Sequence, residues 1–138
     1  MIRSIMRDPA FLSQPSQEAV KGDSQVGRDL DDTLRANCEK CVGMAANMIG
    51  IRKRVIVINP GVGPFNLVMY NPVLVRTEGP YETEEGCLSL SGTRRTKRFR
   101  EIEVEFLNAR WEKHRMCFSG FAAQIIQHEI DHLNGILI

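Results

Sequence analysis

The sequence predicts an α+β fold in which mostly antiparallel strands pack around a C-terminal helix. Three observations carry that prediction. Between residues 121 and 133 the apolar Phe121, Ala122, Ile125, Ile126, Ile130 and Leu133 recur at spacings of three and four, the period of one helical face. Ile102, Val104 and Phe106 alternate with Glu101, Glu103 and Glu105, the period of a half-buried strand. Arg54-Val55-Ile56-Val57-Ile58 is a short β-branched run, the composition of another strand. A chain of 138 residues supports one domain, spanning 1–138, with one core.

Residues 1–24, with Pro9, Ser13, Pro15, Ser16, Gly22 and Asp23, read as an arm of short irregular elements lying on that domain, with no function of its own. From Ser24 onward Val26, Leu30, Leu34, Cys38, Cys41 and Ala45 recur at spacings of four and three. That spacing predicts one helix, with Asp23 or Ser24 as N-cap and Gly50 closing it or the turn after it. Cys38 and Cys41 then lie well inside a helix. A redox pair needs the helix N-terminus, where the dipole lowers the thiol pKa, so these two are expected to be core thiols. The small residues that follow let a ligand or another backbone approach closely.

The strand Arg54–Ile58 is expected to end in the turn residues Asn59-Pro60-Gly61-Val62-Gly63-Pro64. Strands near Asn66–Tyr70 and Val73–Arg76 follow, broken by Asn71-Pro72, and Gly79–Glu85 reads as a loop delivering Cys87. Arg94-Arg95-Thr96-Lys97-Arg98-Phe99-Arg100 gathers positive charge around an aromatic, as a nucleic-acid patch does, but Glu101, Glu103 and Glu105 follow at once. The stretch therefore reads as a solvated strand or loop, with one Arg reaching a substrate. Arg115–Phe118 pairs with the Ile102–Phe106 strand after a turn near Asn108–Lys113, and Ser119 caps the last helix.

That helix carries His128-Glu129-Ile130-Asp131-His132. Four residues apart on one face, two imidazoles can hold one metal ion, and Glu129 stands close enough to take a proton from water beside it. The arrangement suits hydrolysis. A catalytic centre of this kind needs a third protein ligand, and few residues remain after His132, so the ligand is sought upstream. Candidates are His114, Cys38, Cys41, Cys87, Cys117 and the carboxylates. Cys87 stands out because Gly86 precedes it and apolar residues flank the thiol. A Cys with two His suits zinc or ferrous iron.

Lys plus Arg number 18 against 17 Asp plus Glu, so no bulk field draws the chain to nucleic acid or to a membrane surface. No apolar run reaches the length of a membrane span, and the N-terminus lacks the core of a signal peptide; a cytoplasmic location is expected. In that setting the four Cys read as free thiols or ligands and not as a disulfide framework.

Gly43-Met44-Ala45-Ala46, Glu85-Gly86-Cys87-Leu88-Ser89 and His128-Glu129-Ile130-Asp131-His132-Leu133-Asn134-Gly135, in this order and near this spacing, resemble the three motifs of peptide deformylases. The resemblance runs from about Asp29 onward. It implies an enzyme carrying Fe2+, with Zn2+ or Ni2+ as substitutes, that removes the formyl group from N-formylmethionyl peptides, including nascent chains at the ribosome. It implies Cys87, His128 and His132 as metal ligands, Glu129 as general acid and base, and the Leu88 N–H as an oxyanion donor. Val42 and Gly43 would line the peptide cleft, and Arg94 falls where the family often has an Arg near substrate. Departures exist. Cys41 and Met48 stand where the first motif begins with Gly and ends with Gln, and a thioether cannot donate the hydrogen bond that the Gln amide supplies. Asn47 is a shorter amide directed elsewhere. Ser91-Gly92 replaces a Pro at the cleft edge, and the chain ends soon after the third motif, so its end is expected to fray or to be completed by a partner. The departure at position 48 also opens a second reading: a catalytically weakened relative that binds peptides or regulates.

Overall fold

The structure is a computed structural model describing residues 1–61 and 65–138. Its regular elements are α1 (Pro9–Leu12), α2 (Ser24–Ala36), β1 (Gly43–Ala45), β2 (Val55–Ile58), β3 (Leu67–Cys87), β4 (Leu90–Leu107), β5 (Lys113–Ser119) and α3 (Gly120–Leu133), with 3-10 turns at Lys21–Asp23 and Ala46–Ile49. Among the described residues the strands form one five-stranded sheet in the order β1-β2-β3-β4-β5, and every neighbouring pair is antiparallel. The α+β expectation holds.

The first helix of any length is shorter than its periodicity predicts. Helix α2 stops at Ala36, where the Asn37 N–H donates to the Leu34 carbonyl and its side-chain amide to the Thr33 carbonyl, closing the last turn. Gly43–Ala45 then runs extended because it pairs with Ile58, Val57 and Ile56. Pairing with β2 satisfies the backbone groups on one side of this buried segment, and this outweighs the weak local preference for continuing the helix. Cys38 consequently lies beyond the helix and is exposed, so it is not a core thiol, whereas Cys41 is half-buried and packs against the core.

Strand β3 continues through Asn71-Pro72 where a break was expected. The register slips between Tyr70 and Val73, and Asn71 adopts a left-handed conformation with φ of 52°. Its amide accepts from the Ala19 N–H at 2.7 Å and donates to the Ala19 carbonyl at 3.0 Å, so the arm supports the irregularity. A bulge is where a sheet tolerates Pro, which has no N–H for the ladder. Gly79–Glu85 is likewise strand and not loop: Pro80 through Gly86 pair with Phe99 through Thr93. This hairpin brings opposite charges together on its exposed faces, among them Arg95 on Glu82 at 2.7 Å. The expected turn Asn59–Pro64 is observed only in part. Gly61, at φ of 80°, donates its N–H to the Asn59 side chain, and residues 62–64 lie outside the described residues.

The core lies between the sheet and the two long helices. Leu30 and Leu34 of α2 and Ala123, Ile126 and Leu133 of α3 cover Val55–Ile58, Met69, Ile102, Val104 and Phe106, all buried. Each such aliphatic side chain contributes about 1.5–3 kcal/mol of transfer free energy. Helix α3 starts at Ser119 without a side-chain capping bond, against expectation; the chain turns instead through Gly120 at φ of 59°. Two further ties hold it. The Gln127 amide accepts from the Phe99 N–H and donates to the Phe99 carbonyl, taking the place of a neighbouring strand just beyond the end of β5. Past the helix, Ile138 is 7% exposed, so the chain end packs into the domain and does not fray.

Candidate metal centre

His128 and His132 occupy successive turns of α3 and face the tip of the β3–β4 hairpin. Their Nε2 atoms are 3.1 Å apart, with the rings nearly perpendicular at 75°. Cys87, the last residue of β3, presents its sulfur to the same point: one ligand atom from each of Cys87, His128 and His132 lies within 4.8 Å of the others. The structure brings together none of the other upstream Cys or His candidates with the two rings. His114 stacks on Phe106 beside Asn108, and Cys38 and Cys117 are exposed. The Cys41 thiol donates to the Gly43 carbonyl, and burial, helped by the nearby Glu129 carboxylate, pushes it up to about 12.

The donor set fits a metal ion. Two nitrogens at zinc-like distances on one tetrahedral ion stand about 3.3 Å apart, close to the 3.1 Å seen. Burial disfavours charge on either ring, but the contact with Cys87 and the carboxylates of Glu129 and Glu85 raise the His128 pKa, while burial and the charge on His128 depress that of His132.

Behind His128 lies a network centred on Arg98, a residue from the stretch that the sequence reading took as a solvated strand or loop. The His128 Nδ1 atom is 2.8 Å from Glu85 Oε1. Arg98, 3% exposed, grips the Glu85 carboxylate through Nε and Nη2, at 2.6 Å for the shortest contact, and reaches Asp131 of α3 through Nη1 at 2.6 Å. Gln124 donates to the other Glu85 oxygen. Burial alone would raise the Glu85 pKa, yet the hydrogen bonds from His128, Arg98 and Gln124 hold it at about 2. Carboxylate–imidazole pairs of this kind fix ring orientation and tautomer at metal sites.

A cleft of about 420 Å³ opens in front of the cluster, lined by residues that include Val42, Gly43, Met48, Cys87, Leu88 and Glu129. Glu129 is 3% exposed, and its Oε1 finds no hydrogen-bond partner among the described residues. Burial pushes it up to about 7. Gly43 matters sterically, since a Cβ there would stand 2.5 Å from Ile125 Cγ2 and 2.9 Å from Glu129 Oε2. At the position of the missing amide, the Met48 sulfur accepts from the Ala45 N–H at 3.4 Å. Asn47 supplies no replacement: its amide donates to the His132 carbonyl at 2.8 Å. Arg94 sits opposite Glu85 on the hairpin and outside the residues that line the cleft.

An antiparallel sheet wrapped on a helix whose two imidazoles face a strand-borne thiol defines a class, the small α+β hydrolases built around an H-E-x-x-H helix. The particular family follows from likeness along the whole chain. The family profile described as polypeptide deformylase matches residues 2–138, and the chain belongs to that family. It is 55% identical over 138 residues, and over the full length of both, to a peptide deformylase of Clostridium beijerinckii. It is 36% identical to one of Aquifex aeolicus, covering 99% of this chain and 85% of the relative. Among solved structures, the actinonin-bound class I type b peptide deformylase from Acinetobacter baumannii superposes with a TM-score of 0.87 at 28% identity, covering 99% of this chain and 95% of that one. A peptide deformylase from Legionella pneumophila gives 0.88 at 32% identity, with 99% and 83% covered.

Proposed function

We propose that this protein removes the N-formyl group from the terminal methionine of newly made polypeptides, at a centre held by Cys87, His128 and His132 and worked by Glu129. The observation that carries the proposal is the unpartnered, buried Glu129 carboxylate facing the cleft beside that donor set. Ferrous iron is the proposed resident ion, with zinc or nickel as substitutes, since a thiolate with two imidazoles suits this borderline chemistry. When bound, the ion supplies Lewis acidity that activates water and polarises the formyl carbonyl.

The chain's own residues do the rest. Glu129, pushed up to about 7, is poised to take the proton of the attacking water and return it to the departing amine. The Leu88 N–H, at the hairpin tip, donates to the oxygen on which negative charge builds. Val42 and Gly43 stand at the free edge of the sheet, because β1 pairs with β2 alone, and an extended peptide can lie along that edge. Gly43 leaves room for both peptide and Glu129. Arg94 acts from outside the cleft, attracting the substrate's more distant part. Such substrates are met in the cytoplasm, on chains leaving the ribosome, and the whole of 1–138 acts as the working unit. No helix among the described residues is long and apolar enough to cross a membrane.

The test is formate release from a formyl-methionyl peptide by protein prepared anaerobically and loaded with ferrous iron, with Glu129→Gln alongside. The native chain turns over, and the variant keeps its metal but loses activity by about 10²–10⁴-fold, the usual contribution of a positioned acid and base. Parental rates in the variant would remove Glu129 from the mechanism.

A further inference from the structure

The N-terminal arm touches both walls of the cleft from behind. The Met6 N–H donates to the carbonyl of Met48 at 2.7 Å, and Arg7 Nη1 donates to the carbonyl of Leu88 at 2.8 Å. Met48 and Leu88 both line the cleft, one from the 3-10 turn after β1 and the other from the tip of the β3–β4 hairpin. The arm is held in place further back, where Arg3 forks onto the buried Asp29 carboxylate and Ile5 packs on the core.

The contact at Leu88 has a chemical continuation. The Leu88 carbonyl and the Ser89 N–H belong to one planar peptide unit, so fixing one fixes the other. That Ser89 N–H donates to the Cys87 sulfur at 3.4 Å. A guanidinium on the carbonyl polarises the unit and strengthens its N–H as a donor, as coupled hydrogen bonds do. Charge-assisted bonds are also shorter and stronger than neutral ones. The chain of contacts runs from Arg7 through one peptide to the sulfur. Holding the Leu88 carbonyl also restricts the residue whose own N–H is the proposed oxyanion donor.

We infer that Arg7 is a positioning residue: through the Leu88–Ser89 peptide it orients and strengthens the hydrogen bond to the Cys87 sulfur, which makes the arm a part of the metal centre. The inference rests on Cys87 being a ligand. Its signature is on the metal–sulfur bond and not only on turnover.

The experiment loads the native chain, Arg7→Ala, Arg7→Lys and Arg3→Ala with cobalt(II), and records the thiolate-to-cobalt charge-transfer band and the rate of cobalt loss to excess chelator. Arg7→Ala shifts the band and speeds metal loss by roughly 10-fold, the lower end of what losing an outer hydrogen bond does to metal affinity. Arg7→Lys, which keeps a cationic donor, recovers most of both. Arg3→Ala, which loosens the arm further back, leaves the band near its native position. An unchanged band and rate in Arg7→Ala would overturn the inference while leaving Cys87 as ligand, and so would an Arg3→Ala shift as large as that of Arg7→Ala, which would reduce the arm to packing. Absence of the band from the native chain would overturn the ligand set itself and the inference with it.

Discussion

Two residues of the cleft bear on the proposed chemistry by size and by hydrogen-bonding capacity. A methyl group at position 43 would collide with Ile125 Cγ2 at 2.5 Å and Glu129 Oε2 at 2.9 Å, so Gly43→Ala displaces the carboxylate. A displacement near 1 Å costs about 10² in rate. Steady-state kinetics should show this as a fall in kcat greater than any rise in KM. An unaltered kcat would mean that Glu129 works equally well from a shifted position. At position 48 the opposite effect is expected. The Met48 sulfur only accepts, from the Ala45 N–H, and the Asn47 amide is occupied by the His132 carbonyl. Met48→Gln puts a donor on the cleft wall that the proposed oxyanion donor Leu88 also lines, and kcat should rise by up to about 10²-fold, the scale of one such donor. An equal rate would show that the site already has the donors it needs.

At the scale of elements, the centre depends on joining a hairpin to a helix. Arg98 of β4 does this by holding Glu85 of β3 and Asp131 of α3 at once. Removing one partner of a buried pair leaves an uncompensated charge, at a cost of about 3–5 kcal/mol. Urea denaturation of metal-free Arg98→Met should show a loss of that size. A loss below about 1 kcal/mol would place the clamp among weak surface pairs. The sequence contained a sign of this role. Counting back by twos from buried Phe106, Val104 and Ile102 passes exposed Arg100 and reaches Arg98, which is buried again. Reading the segment by its charge hid that parity. The helix overrun into Cys38 and Cys41 has a different origin: residues that cover a core recur at three and four whether or not one helix carries them, and only pairing with β2 revealed that Gly43–Ala45 is strand.

For the molecule as a whole, the arm's anchorage gives a pH dependence. Asp29 is 2% exposed. Burial would raise its pKa, but hydrogen bonds from Gln25, the Met1 ammonium and Arg3 hold it at about 2, below its ordinary 3.8. A depressed folded value means that the stabilisation is complete above the ordinary pKa and is lost as pH falls through the folded one. Thermal melts should therefore show the native chain losing stability more steeply than Asp29→Asn between about pH 4 and pH 2. At neutral pH the variant is the less stable of the two. Parallel curves would show that Asp29 does not govern this acid limb.

The sequence by itself determined the helix bearing His128, Glu129 and His132, the strands Val55–Ile58 and Ile102–Phe106, and the motif around Cys87, because each is written in local periodicity or in contiguous residues. Tertiary structure alone decided that Arg98 is buried between Glu85 and Asp131, that Asn47 is turned to His132, and that Arg7 reaches Leu88. These are contacts between segments far apart in the chain. Their partners are selected by the register of the sheet and the packing of α3 upon it, and no window of sequence contains both sides of such a contact.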